Sequence, residues 1–248
     1  MHPLLGRLGP FFLYTYQYVW GLGILGALAL AYHLAPRPQQ WRDWFDPLLV
    51  GLIAGILGGR AAYVSVNWTY YRAEPTEIWL VWRGGLSYHG VLLAGLLAIW
   101  LWSNWRNRHW DSIAGVLALL LPLLHLTGWT ACFFHGCGYG RLATPGWLAT
   151  NLPDSFGVFD LRYPTQLAGI GFSLLILPAI IGLRQRGNQP TGRALFWLAL
   201  LLLTLSHLLL WLWRGDRQGL MGPILDAGIA AAAFIAFLIN RSSTSLRS

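Results

Sequence analysis

The chain has 248 residues, 56% of them hydrophobic and 15% aromatic, and only 10% are charged, against roughly 25% in an ordinary soluble domain. Its formal charge of +8 comes from 17 arginines, without a lysine, set against nine acids. These arginines occupy short gaps between apolar runs, not the basic stripe with interleaved aromatics that nucleic acid requires. Apolar runs this dense cannot all enter one water-soluble core, so the implied solvent is lipid.

A bilayer core takes about 20 apolar residues per helix, and seven segments qualify: 13–33, 47–66, 88–104, 112–134, 166–184, 194–213 and 220–240. The first opens with Tyr14, Tyr16, Gln17 and Tyr18, whose rings suit the headgroup level. Only His2 and Arg7 precede it as basic groups, and more spans follow, so it reads as a retained span and not a cleaved leader. No segment alternates apolar and polar residues as a lipid-facing barrel strand would. The expected fold is all-α, a polytopic membrane protein of about seven helices. It forms one transmembrane domain over 1–240, with outer-face loops around a lipid-accessible cavity. The residues "RSSTSLRS" (241–248) read as a short, frayed cytoplasmic tail.

The gaps 67–87 and 135–165 are long and rich in glycine, proline and aromatics, as loops or interfacial helices are. With the amino terminus outside, nine arginines fall on the cytoplasmic side, Arg37, Arg106, Arg108, Arg184 and Arg247 among them. Seven fall outside, including Arg72, Arg83, Arg141 and Arg217. That bias is small but has the sign of the positive-inside rule, and it puts the carboxyl terminus in the cytosol.

Ionisable groups at membrane depth point to a functional site or a buried pair. Arg60, His89, His125, His207 and Asp226 are such groups. The Arg60 guanidinium stays charged and has to find an acid, carbonyls or a phosphate. It therefore reads either as an anion-binding group or as a structural one, and each histidine reads either as a site residue or as a tie to a neighbouring helix. In "RGGLSYHG" (83–90) the glycines make a turn plausible and Ser87 can cap a helix. There His89 either accepts a proton from a nucleophile or ties the turn down. The run "CFFHGC" (132–137) offers Cys132, His135 and Cys137 as soft metal ligands without a second paired half, as a disulfide, as a reactive thiol, or as inert packing.

The order of these segments resembles the prolipoprotein diacylglyceryl transferase family. "WRGGLSYHG" (82–90) is similar to that family's glycine-glycine, serine-aromatic-histidine-glycine segment, which places its essential histidine on His89. "GGRAAYV" (58–64) matches at Arg60 and Tyr63. "GWTACFFHGCGYGR" (128–141) fits the family's central segment, agreeing at Gly128, Phe133, Gly136, Gly140 and Arg141. Trp129 stands where the family has arginine, Cys132 and His135 where it has asparagines, and Cys137 where it has glutamate, as in a divergent, cysteine-containing branch. In "SHLLLWLWRGD" (206–216) Arg214 agrees, Trp211 replaces a glutamate and His207 an arginine.

The resemblance implies a multi-pass protein of the bacterial inner membrane that moves a diacylglyceryl group from phosphatidylglycerol to a lipobox cysteine thiol. Its implied partners are phosphatidylglycerol, or another anionic phospholipid, and a prolipoprotein signal peptide. Neither a metal nor another cofactor is expected. His89, His135 and Cys137 are the candidate catalytic residues, and Arg60, Tyr63, Arg141, His207 and Arg214 the candidate lipid-binding ones. Another phospholipid-modifying reaction, or a non-catalytic lipid-binding scaffold, is the alternative.

Overall fold

The apolar runs become helices in the computed structural model, which describes residues 4–8, 11–34, 41–81, 84–186, 190–216 and 219–245. Arg37, Arg83, Arg217 and Arg247, which bear on orientation, lie outside the described residues. A hairpin of β1 (Leu4–Leu8) and β2 (Phe11–Tyr14) leads into α1 (Thr15–Leu34). Then come α2 (Arg42–Val66), the short α3 (Trp68–Ala73), a 3-10 turn at Pro75–Trp79, α4 (Tyr88–Trp105) and α5 (Trp110–His135). A second antiparallel hairpin, β3 (Thr150–Pro153) with β4 (Phe159–Arg162), precedes α6 (Thr165–Gln185), α7 (Gly192–Trp211) and α8 (Met221–Ser245).

Each of the seven long helices among the described residues coincides with one of the expected apolar segments. Five of them, α2, α5, α6, α7 and α8, are long and apolar enough to cross a membrane. Helices α1 and α4 have more polar ends, with Tyr16, Gln17 and His33 in the one and Tyr88, His89 and Asn104 in the other. Two features depart from the expectation. Two small hairpins accompany the long helices, one before α1 and one between α5 and α6, so the gap 135–165 carries strands where loops or interfacial helices were expected. Helix α8 also runs on to Ser245, so the start of the expected frayed tail is helical.

The chain divides into two compact units, Pro36–Ile113 and a second made of Met1–Ala35 with Ala114–Ser248. In the Pro36–Ile113 unit the packing of α2 on α4 depends on small residues. Gly51, Gly55 and Gly59 recur every fourth position on α2, and Gly58 adjoins them. Opposite them stand Gly90, Val91, Ala94, Gly95 and Ile99 of α4. A β-carbon on Gly90 would lie 2.6 Å from the Gly58 carbonyl oxygen and 2.9 Å from the Gly59 Cα, so the two backbones touch. Helices in lipid associate by such close approach because lipid tails remove most of the hydrophobic drive between them. Ser87 starts α4 as its N-cap, accepting from the Gly90 N–H, and its own N–H donates to the Gly59 carbonyl at 3.0 Å.

The larger unit is built around α7, which buries Leu195, Phe196, Ala199, Leu200, Leu203 and Leu210. Hydroxyls within the helices solve the problem of polarity at depth locally. Thr127, Ser173 and Thr204 each donate to the carbonyl four residues back, at 2.8 Å. A donor that returns its proton to its own helix leaves nothing unsatisfied toward lipid.

Replacing Gly90 with valine forces backbone against backbone and costs about 1–3 kcal/mol. Gly26 has open space around its β position, so Gly26→Ala serves as the control. Thermal unfolding of the detergent-purified protein is expected to fall by several degrees for Gly90→Val only. Equal melting of the two variants would show that the α2–α4 contact does not depend on glycine.

Candidate functional site

Arg60 projects from α2 and is buried, with 6% of its surface exposed. Its Nε donates to the Ile78 carbonyl at 2.8 Å, Nη1 to the Gly84 carbonyl at 2.7 Å and the Gly85 carbonyl at 3.1 Å, and Nη2 to the Glu77 carbonyl at 2.5 Å. Its guanidinium also lies over the Tyr71 ring at 5.1 Å, a cation–π contact. Of the partners open to it from sequence, Arg60 has taken carbonyls. It clamps the segment 77–85, which then leads directly into Ser87 and His89. Gly84 and Gly85 have φ of +92° and +79°, the left-handed region that glycine enters without strain, and this turns their carbonyls toward one cation.

A cavity of about 440 Å³ opens here, lined by Arg60, Tyr63, Asn67, Tyr70, Tyr71 and Glu77 with the two glycines. Arg60 and Tyr63 both line it. The Tyr70 hydroxyl donates to the Glu77 carboxylate at 2.6 Å, and this hydrogen bond raises the phenol above its ordinary pKa. Asn67, Tyr70, Tyr71 and Glu77 were not singled out from sequence, because each reads as ordinary interfacial polarity until the segment folds back on α2. His89 sits half-buried in the first turn of α4, edge-on to the Tyr88 ring at 5.2 Å.

In the larger unit Cys132 and Cys137 form a disulfide, so neither presents a thiol, and Cys137 as a nucleophile has no support in this state. The bridge closes the end of α5 into a tight loop whose backbone is held on all sides. The Gln166 amide donates to the Cys137 carbonyl at 3.0 Å, the Thr165 hydroxyl to the Gly138 carbonyl at 2.6 Å, and the Gly138 N–H to the Asp216 carboxylate at 2.9 Å. His135 ends up on the exposed side of this loop, its ring against Tyr16 at 5.3 Å, apart from these bonds. The Trp129 ring fits because Gly138 and Gly169 leave room for it.

The Trp129 indole N–H donates to His125 Nε2 at 3.1 Å, and His125 Nδ1 meets the Ser173 hydroxyl at 2.8 Å. An indole can only donate, so the His125 proton is on Nδ1. This histidine is a helix tie, the structural member of the two readings left open by the sequence.

His207 on α7 meets the fully buried carboxylate of Asp226 on α8 through Nδ1 at 2.6 Å. Its Nε2 faces Arg214 Nη1 at 3.4 Å, while Arg214 binds Asp216 through Nε at 2.8 Å and Nη2 at 3.0 Å. His207 and Arg214 are thus brought together. Asp216 was missed as a site residue, although its place two residues after Arg214 in "WRGD" is the signal that could have found it. Arg141 is exposed, stacked over Tyr163 at 5.5 Å, and its backbone N–H donates to the Trp213 carbonyl at 2.8 Å. Nearby, Arg162 pairs with Asp154 at 3.1 Å. Desolvation pushes the Asp154 carboxyl up, but N–H groups of Val158 and Phe156 together with Arg162 outweigh it and hold the group below its ordinary pKa.

Comparison with known proteins matches residues 3–240 to a family described as prolipoprotein diacylglyceryl transferase. The phosphatidylglycerol–prolipoprotein diacylglyceryl transferase of Cupriavidus necator is 32% identical over 77% of this chain and 72% of its own. The protein of the same name from Methylibium petroleiphilum is 30% identical over 77% and 75%. That of Aeromonas hydrophila is 30% identical over 77% and 70%. With its long apolar helices, its arginine-histidine segments in order and this extent of similarity, the chain belongs to the prolipoprotein diacylglyceryl transferase family.

Proposed function

We propose that the chain transfers the diacylglyceryl unit of phosphatidylglycerol to the thiol of a lipobox cysteine, at the outer face of a bacterial inner membrane. The observation that carries this reading is the family match along nearly the whole chain, with the histidine segment kept intact and mounted on a loop that Arg60 clamps. In the proposed reaction His89 takes the thiol proton, and the thiolate attacks the glyceryl carbon that bears the phosphate ester. The carbon–sulfur bond forms, the carbon–oxygen bond breaks, and glycerol phosphate leaves with the electron pair. The acceptor sulfur belongs to the substrate. Arg214 and the exposed Arg141 are assigned to the phosphoryl oxygens, where paired N–H donors stabilise the departing charge. Tyr63 and the cavity beside it are assigned to the lipid. Arg60, with its carbonyl partners, serves chiefly by fixing the segment that carries His89.

A second reading, another phospholipid-modifying transfer on the same scaffold, is favoured by one observation. A disulfide and Trp129 occupy positions where the family has asparagine, glutamate and arginine.

The amino terminus is proposed to lie outside. A disulfide persists in an oxidising compartment, and placing the carboxyl end of α5 there agrees with the arginine bias. A cysteine introduced as Arg186→Cys is expected to resist a membrane-impermeant maleimide in cells with a permeabilised outer membrane, and to react after lysis. Ready labelling before lysis would reverse the orientation.

Incubating the purified protein with phosphatidylglycerol and a lipobox peptide is expected to add a diacylglyceryl mass to the peptide. His89→Ala should lower that rate by about 10²–10⁴-fold, the range of a lost general base. Lipid binding without product, under conditions where a known family member turns over, would favour the second reading or a scaffold role. Arg60→Lys, which replaces a planar fork by a point charge, is expected to lower turnover at least tenfold and to open the 77–85 segment to proteolysis. Lost turnover with an unchanged cleavage pattern would instead put Arg60 on the lipid.

A further inference from the structure

The contacts of His207 fix where its proton lies. A guanidinium has no acceptor, so Arg214 Nη1 can only donate, and the His207 Nε2 that faces it at 3.4 Å accepts. The proton is then on Nδ1, where it is donated to the Asp226 carboxylate at 2.6 Å. Asp226 is 1% exposed and comes from a different helix, so it anchors the imidazole to α8 while the far side of the ring addresses Arg214. On its other edge the same guanidinium is gripped by Asp216 through Nε and Nη2, and Asp216 is itself fixed by the Gly138 N–H of the disulfide loop. Three of the five Arg214 N–H groups are taken up in this way. The other two have no partner among the described residues, and they belong to Nη1 and Nη2, the end of the fork that suits two oxygens of a phosphoryl group.

We infer that Asp226, acting through His207, is a positioning residue that aims Arg214 at the phosphoryl group of an anionic phospholipid. The inference rests on the proposed role of Arg214 in holding that group. It gives His207, expected from the sequence to bind the lipid itself, a role through Arg214 instead, and it supplies a role for Asp226, to which the sequence assigned none. A cation at position 207 would need only to be near the anion. The neutral imidazole instead accepts a hydrogen bond, and so acts on the orientation of a second cation and not on the lipid itself.

The test is a double-mutant cycle on the full-length protein in nanodiscs, reading the affinity for phosphatidylglycerol over phosphatidylcholine by native mass spectrometry. Asp226→Ala is expected to weaken phosphatidylglycerol binding about tenfold, Arg214→Gln at least as much, and the double variant no more than Arg214→Gln alone. His207→Gln keeps an acceptor toward Arg214 and a donor toward Asp226, so it is expected to stay within about threefold of the parent. His207→Leu is expected to match Asp226→Ala. In the transfer assay Asp226→Ala should raise KM for phosphatidylglycerol about tenfold while kcat changes by less than threefold.

Independent, additive losses from Asp226→Ala and Arg214→Gln would overturn the inference, since they would make Asp226 a matter of bundle stability only. Equal behaviour of His207→Gln and His207→Leu would overturn it too, and that comparison also serves should Asp226→Ala fail to fold. If Arg214→Gln leaves lipid preference unchanged, the phosphate role of Arg214 falls and the inference with it. If the coupled loss of binding is found but no diacylglyceryl transfer occurs, the positioning stands and the proposed reaction fails.

Discussion

Polar groups set among lipid-facing helices have to be satisfied from within the protein, and the arrangement of this molecule follows from that constraint. Arg60 is the sharpest instance. A buried guanidinium with only carboxylates to choose from would have needed one of the nine acids. Instead it collects four carbonyls from one returning segment, and so converts its own desolvation problem into the geometry of the loop before His89. Four carbonyl dipoles do not neutralise the charge, so the cavity beside it keeps a positive wall, edged by the tyrosines and by Glu77. The same logic operates around α7, where a buried Asp226 finds an imidazole, and the imidazole finds an arginine. In each place, what settles the charge also orients a group capable of chemistry.

Close packing supplies the second requirement. The α2–α4 contact has backbone against backbone because glycines line both helices, and that approach allows the Ser87 N–H to reach the Gly59 carbonyl. Trp129 uses the same device in reverse: Gly138 and Gly169 make space for its ring, and His125 receives its N–H. The indole is thus accommodated by packing and one hydrogen bond. The nearby Cys132–Cys137 disulfide holds its loop by a covalent link.

The helices were legible because hydropathy and length decide them almost alone. The segment 166–184 differs from α6 by one residue at each end, and 88–104 from α4 by one residue at its carboxyl end. The small hairpins were not legible: "TNLP" and "FDLR" are four-residue strands, too short to show a period. The fourfold glycine spacing on α2 was in plain view and carries a packing mechanism, yet composition-based reading of a span passes over it. Of the site, the charged residues drew attention through their cost at depth, which is why Arg60, His207 and Asp226 stood out, and the last two are partners of each other. The partners of Arg60 and Arg214 did not stand out, because the carbonyls of Glu77, Ile78, Gly84 and Gly85 and the Asp216 carboxylate become partners only through local turns, and backbone acceptors have no signature in a sequence. His135 and Cys137 were selected by residue type, and that choice could not distinguish a thiol from half of a disulfide.

Everything proposed for the site turns on whether this family member performs the transfer proposed for it. The most direct measurement is made in a bacterium whose own transferase of this family is depleted, with this chain supplied in its place and a reporter prolipoprotein analysed by mass spectrometry. The expected result is a reporter whose lipobox cysteine carries a diacylglyceryl group. Accumulation of the unmodified precursor, with the chain present in the membrane at normal amount, would contradict the proposed transfer.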